Sequence, residues 1–331
     1  MEVKTAQQPL SGSGSSSAIY PRWVMLEKHY KRKRDDSSSS PLAGADAKTL
    51  AVARTTTGHR IQVSLCFAEP PATSPLRVEL PDGVFQEYAI VAAAHGDSLL
   101  IQVSLRTRDC SSGTVNQFVY SAGDAAAAAA GGGPPRPPSL ALLPLYYFDD
   151  GRTLYGAPMS RSLRTPATGM LRSGGEDETV LAELEMVPVT VSKDTPEKKT
   201  PELLMFRSGE WIVRRPRIRS FSGAGDDELE AKLPSWWTTD AVVVPAGDRT
   251  LCWVNLARGV LFCDVLDESP RLQYLPLPKA PYLGGESHRS LRATAAGELK
   301  FVNIFPRCCC GGAAPRGATV LTTPTPSRPG R

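Results

Sequence analysis

The chain has 331 residues, with 38 Lys and Arg against 34 Asp and Glu for a formal net charge of +4, and is 41% hydrophobic and 22% charged. That composition is globular, the size suits one large core or two small ones, and the charge is too small to predict strong attraction to nucleic acid or a membrane. The 29 Pro and 28 Gly exceed what long helices tolerate, and no run of about eighteen apolar residues could form a membrane span.

Residues 1–18 are rich in Ser, Gly and Gln without an apolar core, so they read as a disordered tail with no secretory signal. The run Ile19 to Leu26 reads as a first strand, which Trp23 and Val24 would anchor to the core. Lys31-Arg32-Lys33-Arg34, followed by two aspartates and four serines, reads as a solvated linker rather than a nuclear-import address.

From Gly58 a pattern recurs: a glycine, one or two polar residues, an apolar strand, a second strand and a closing Leu-Pro. It runs from Gly58 to Phe67 and on to Leu76–Pro81. It returns from Gly96-Asp97 to Val103, through Gln117–Tyr120, to Leu140–Pro144. Weaker copies start at Gly175 and Gly297. The clearest lies between Trp236 and Pro278, with apolar runs at Ala241–Val244, Leu251–Val254, Val260–Val265 and Leu272–Leu275 separated by turn formers. Runs this short, with a side-chain period near two, predict strands, and Gly259 is expected to take a positive φ closing a hairpin. Four antiparallel strands in about forty residues is the size of a propeller blade.

Between these units lie segments expected to be insertions: residues 31–48, the Ala-, Gly- and Pro-rich 124–138, and the Lys-rich 191–200. Leu203–Phe206 and Trp211–Val213 read as a hairpin, Glu176–Met186 is helical by propensity, and Asp226–Leu233 is expected to be a short helix. The fold class that follows is mainly β, propeller-like or stacked antiparallel sheets. It would fill residues 19–310, with a disordered tail at 311–331 and the final unit incomplete.

The run Leu251 to Val265, continuing to Arg271–Pro278 and containing Trp253-Val254, Arg258-Gly259 and Cys263-Asp264, resembles a plant family of the grasses known as domain of unknown function 1618. Tyr20–Leu26, Ala94–Ser98 and Phe301–Gly312 resemble it too. The resemblance implies no established activity, cofactor or catalytic residue. Members usually continue past the position of Gly312, where this chain turns to a Thr/Pro-rich tail, which implies an incomplete or truncated domain.

No constellation assembles a catalytic, cofactor-binding or metal-binding site. Seven cysteines do not make a disulfide framework and fit a reducing compartment, cytosol or nucleus. Cys308–Cys310 are contiguous, with no Cys-x-x-Cys pair and no nearby histidine, which is poor spacing for a tetrahedral ion. His95, beside Gly96, Asp97 and Ser98, has the makings of a general base, but a turn histidine bonded to backbone is the simpler reading. Asp97 and Asp248, at equivalent places in the repeat, read as turn-stabilising.

Gly131–Gly133 lead into proline rather than a phosphate loop. Arg214, Arg215, Arg217 and Arg219, between Trp211 and Phe221, have the composition of a nucleic-acid face, offset by Asp226, Asp227 and Glu228. Trp236-Trp237 reads as a packing anchor. The expectation is a non-catalytic interaction module whose partner is another protein, with no small-molecule ligand. The alternatives are a hydrolase with carboxylates at the mouth of the array, or a degenerate gene product.

Overall fold

The computed structural model describes residues 24–30, 47–108, 113–123, 136–148, 153–154, 157–172, 179–189, 198–221, 225–237, 242–278, 289–294 and 297–303. The tail at 1–18, the strand residues Ile19–Trp23, the basic run at 31–34 and the segment 311–331 lie outside them. So do the echo at Gly175 and most of the expected insertions.

Among the described residues the chain is mainly β, with one α-helix and several separate sheets, none closed into a barrel. Sheet I holds β1 (Ala51–Arg54), β2 (Arg60–Leu65) and β3 (Leu76–Glu79), with β2 in the middle. Sheet II is the meander β4 (Val84–His95), β5 (Ser98–Thr107), β6 (Thr114–Ser121) and β7 (Ser139–Leu142), with His29–Tyr30 added to the far side of β4. Sheet III is the meander β8 (Thr168–Arg172), β9 (Thr179–Val189), β10 (Lys198–Arg207) and β11 (Glu210–Arg214).

In sheet IV, β12 (Ile218–Ser220) precedes the helix α1 (Asp226–Trp236). The meander β13 (Val242–Ala246), β14 (Thr250–Asn255), β15 (Gly259–Asp264) and β16 (Leu272–Pro276) follows, and β12 lies parallel to β16. Sheet V is the pair β17 (Arg289–Ala293) and β18 (Leu299–Asn303).

The sheets pack face to face in sequence order, because successive strand residues face opposite sides and both sides carry apolar groups. On β14, Leu251 and Trp253 enter the core shared with sheet III, whereas Cys252 and Val254 enter the core shared with sheet V. On β5, Leu99, Ile101, Val103 and Leu105 face sheet I and Leu100 faces sheet III. Each fully buried side chain of this kind contributes roughly 1.5–3 kcal/mol relative to exposure, so no sheet is stable with its neighbours removed. The first strands line up as well: β4 packs on β8, β8 on β13 and β14, and β13 on β17.

The four runs of the organising segment become β13 to β16 nearly residue for residue, α1 forms where a helix is expected, and the 203–213 hairpin is present. Its turn places Ser208 and Gly209 at φ of 51° and 84°, the left-handed pair that matches strand twist. Three expectations need correction. Residues 179–186, helical by propensity, are strand β9, because Val180, Ala182, Leu184 and Met186 bury one face against sheet IV while Leu181 fills the other.

The insertion expected at 191–200 ends earlier, since Lys198–Thr200 already pair with Val187–Val189. Gly259 does not take a positive φ; it opens β15, where an added Cβ would lie 2.5 Å from the Tyr274 ring, so it permits close packing rather than a turn. Of the expected first strand the described part is Val24–Leu26, in which Met25–Leu26 are β and pair in parallel with Thr73–Ser74.

Candidate functional site

The first strands of sheets II, III and IV converge on a crevice of about 180 Å3, walled by Ala92–Ala94 of β4, Thr168–Met170 of β8, and Val242, Val243 and Pro245 of β13, with Lys28 at its rim. A register shift between Val91 and Ala93 bulges β4 beside it. Gly169 makes the convergence possible: a Cβ there would lie 2.5 Å from Val243 Cγ1 and 2.9 Å from the Leu251 methyls. Thr165 and Pro166 complete the wall, so the lining mixes small and apolar side chains with the edges of three strands.

At the end of β4 the turn residues gather. Gly96, Gly247 and Gly297 close the first hairpins of sheets II, IV and V at φ of 60°, 70° and 80°, and a Cβ on Gly297 would sit 3.2 Å from the Gly247 nitrogen. His95 Nδ1 accepts the backbone N–H of Arg172 at 2.9 Å, so the ring is neutral with its proton on Nε2. Burial holds its pKa below the ordinary value, partly countered by the charge of Asp248. The Arg172 guanidinium pairs with Asp97 and donates to Ser98 Oγ at 3.1 Å and Ser121 Oγ at 3.3 Å. His95 is thus bonded to backbone, as the sequence implied, and Asp97 serves an inter-sheet ion pair rather than an Asx turn.

The seam between sheets II and III carries a second polar cluster. Glu183 on β9, with its side chain 0% exposed, accepts Arg161 Nη1 at 3.1 Å. The same nitrogen lies 3.0 Å from Glu185, which pairs with Arg164 at 2.6 Å. Burial raises the Glu183 carboxyl to about 7, against the opposing charge of Arg161 and a backbone bond from Arg164. Glu183 Oε2 and Arg161 Nε, both buried, lack hydrogen-bond partners. Gln117 clamps the adjoining chain, accepting the Leu163 N–H at 2.9 Å and donating to its carbonyl at 3.0 Å, while Thr165 donates to Gln102 at 2.9 Å.

Two further sequence candidates separate. Trp211 does not join the arginines: its Nε1 donates to the Pro144 carbonyl at 3.1 Å and its ring packs on Phe206 and Tyr146. Arg215 pairs with Glu202 at 3.0 Å, and Arg214 donates to the Val213 carbonyl. Trp237 is buried in the core between sheets III and IV, as a packing anchor should be.

Cys66, Cys252 and Cys263 are free thiols. Burial pushes Cys252 up and Cys263 to about 12, so both are inert. Cys308–Cys310 lie outside the described residues, and among the described residues no group of three or more His, Cys, Asp or Glu could hold a metal. Sequence reasoning missed Arg172, Arg161 and Glu183, because each acts on a partner more than twenty residues away.

A family model described as "Protein of unknown function (DUF1618)" matches residues 253–329, less than a quarter of the chain, and bears out the resemblance carried by Trp253 to Pro278. No curated protein and no solved structure matches the chain. Among the described residues no helix is long and apolar enough to cross a membrane.

Proposed function

We propose that the chain is a non-catalytic, propeller-like interaction module that binds another protein in the cytosol or nucleus, taking a side chain or loop tip of that partner in the crevice between β4, β8 and β13. The observation that carries this reading is the crevice itself. At about 180 Å3 it falls below the roughly 300–1,000 Å3 typical of small-molecule pockets, yet strand edges from three sheets open onto it. Val242, 49% exposed, presents an apolar contact there.

The groups beside it with catalytic potential are engaged in structure: His95 holds a backbone N–H and Asp97 an arginine. The hydrolase alternative calls for two carboxylates converging in a cleft. Glu183 and Glu185 share one arginine, but Glu183 is sealed from solvent.

The test compares the full chain with its Val242→Glu variant as baits in plant extract, after confirming that both unfold at the same temperature. The expected result is a partner retained by the wild type and lost by the variant. Retention that ignores the substitution, or no retention at all, overturns the reading.

A further inference from the structure

The outer edge of sheet IV carries a charged surface remote in the sheet from the crevice, since β12 and β13 are its two opposite edge strands. Along residues 216–221 burial alternates: Pro216 and Ile218 are buried, while Arg217, Arg219 and Phe221 are exposed, so these three share one outward face. Ile218 pairs with Leu272, and the Leu272 N–H donates to the Arg217 carbonyl at 3.1 Å. That register sets Arg271 beside Arg217 and Gln273 beside Arg219, and Arg271 and Gln273 flank buried Leu272 on the same face.

Among the described residues Arg217, Arg219 and Arg271 make no ion pair or side-chain hydrogen bond. Like charges opposite each other on neighbouring strands destabilise a sheet, and nothing in the packing requires them here. The acids nearby are largely engaged. Asp226 accepts the Ser220 N–H at 2.7 Å, Glu228 pairs with Lys232, and Asp267 accepts the Ser269 N–H at 3.0 Å, leaving Asp227 and Glu268 exposed on adjoining segments. Phe221, 40% exposed, rests on Phe262 with ring centroids 6.3 Å apart, so one ring is held firm and still open to solvent.

We infer that this face binds single-stranded nucleic acid, with Arg217, Arg219 and Arg271 on phosphates and Phe221 stacked under a base. Arg217 and Arg219, alternate residues of one strand, have Cα atoms about 6.6 Å apart, and Arg271 lies across from Arg217 on the next strand, so the charge forms a strip two strands wide with the Phe221 ring beyond it along β12. An aromatic ring at the end of that strip stacks on an unpaired base, which a duplex does not offer. A single phosphate of a phosphorylated peptide would engage the Arg217–Arg271 pair and leave Arg219 and the Phe221 ring unused, whereas a strand of nucleotides offers a phosphate to each part of the strip and a base to the ring.

Fluorescence anisotropy with labelled twelve-nucleotide single strands of DNA and RNA, titrated with the full chain, tests the assignment. Expected is binding weakened by salt with a slope of about −2 in log–log form, from three phosphates neutralised at roughly −0.7 each. Arg217→Ala with Arg219→Ala and Arg271→Ala abolishes it, and Phe221→Ala alone weakens it roughly tenfold. The three arginines are exposed and repel one another, so the triple variant unfolds no lower than the wild type, and a Phe221→Leu variant, which keeps an apolar contact with Phe262 and loses the stacking face, separates stacking from packing. No binding by the wild type, duplex bound as tightly as single strand, or inorganic polyphosphate competing equally while Phe221→Ala changes nothing would each overturn it.

Discussion

The indole Nε1 of Trp253 donates a 2.8 Å hydrogen bond to the carbonyl of Ala167, joining β14 of sheet IV to the last residue of the short 3-10 turn Thr165–Ala167. Gln117 of sheet II grips Leu163 four residues earlier, so the connection into sheet III is tied to the sheets on both sides of it. Trp253→Phe keeps most of the apolar volume but strands the Ala167 carbonyl. The expected loss is about 1–3 kcal/mol in chemical denaturation, rising to about 3–5 kcal/mol for Trp253→Ala. A Trp253→Phe variant with an unchanged midpoint would show that this bond contributes nothing.

Gly169 is open to a sharper experiment, because the clash it avoids has a named partner. Gly169→Ala places a methyl against Val243 Cγ1 and is expected to cost about 1–3 kcal/mol. In a Val243→Ala background the same substitution should cost less by about 1 kcal/mol, since the nearest obstructing methyl is gone and only the Leu251 methyls remain. Strict additivity in this double-mutant cycle would place the strain elsewhere.

Glu183 predicts a pH dependence of one sign. Its carboxyl is raised from 4.5 to about 7, so the folded chain holds that proton more tightly than the unfolded chain. The stabilisation is complete below 4.5 and is lost as pH rises through about 7. Glu183→Gln keeps an acceptor for Arg161 and removes the titration. The stability of wild type minus variant should therefore fall by roughly 2–3 kcal/mol between pH 5 and pH 8. A difference that stays flat over that range rules out burial as the controlling influence.

His95 runs in the opposite direction. Its pKa lies below 6.5, so its contribution is complete above 6.5 and is lost as pH falls through the folded value, when a proton on Nδ1 expels the Arg172 N–H. Nitrogen-detected NMR should show the Nε2–H tautomer at neutral pH. His95→Gln should weaken the junction of sheets II and III by about 1 kcal/mol at pH 7 while flattening its acid sensitivity. Observation of the Nδ1–H tautomer would contradict the assigned hydrogen bond.

The strand content was legible because the apolar runs are short and closed by Gly, Pro and Asp, and β13 to β16 follow those marks closely. β4 is marked less plainly. Its Gln86, Glu87 and run of three alanines show neither clean alternation nor β-branched bulk, and those alanines are small because they line the crevice. β9 misled in the same way: Leu, Glu and Met favour a helix in isolation, and burial on both faces overrides that preference.

The site was less legible than the fold. His95 announced itself beside a glycine turn, but Arg172 lies 77 residues on and carries no local sign of its role. The basic stretch was visible as composition, whereas Arg271 joins it only through the parallel register of β12 and β16, and Trp211, adjacent in sequence, leaves it for another cluster.

Stacking sheets in chain order makes the protein a short linear array in its energetics, with two kinds of position in it. Sheets II, III and IV are covered on both faces, whereas among the described residues sheet I packs on II and the two-stranded sheet V on IV. Amide protection should therefore fall off in a gradient from the middle outward. Fraying would begin at Leu299–Asn303 and lay bare the Cys252 side of the neighbouring layer before anything in the interior opens.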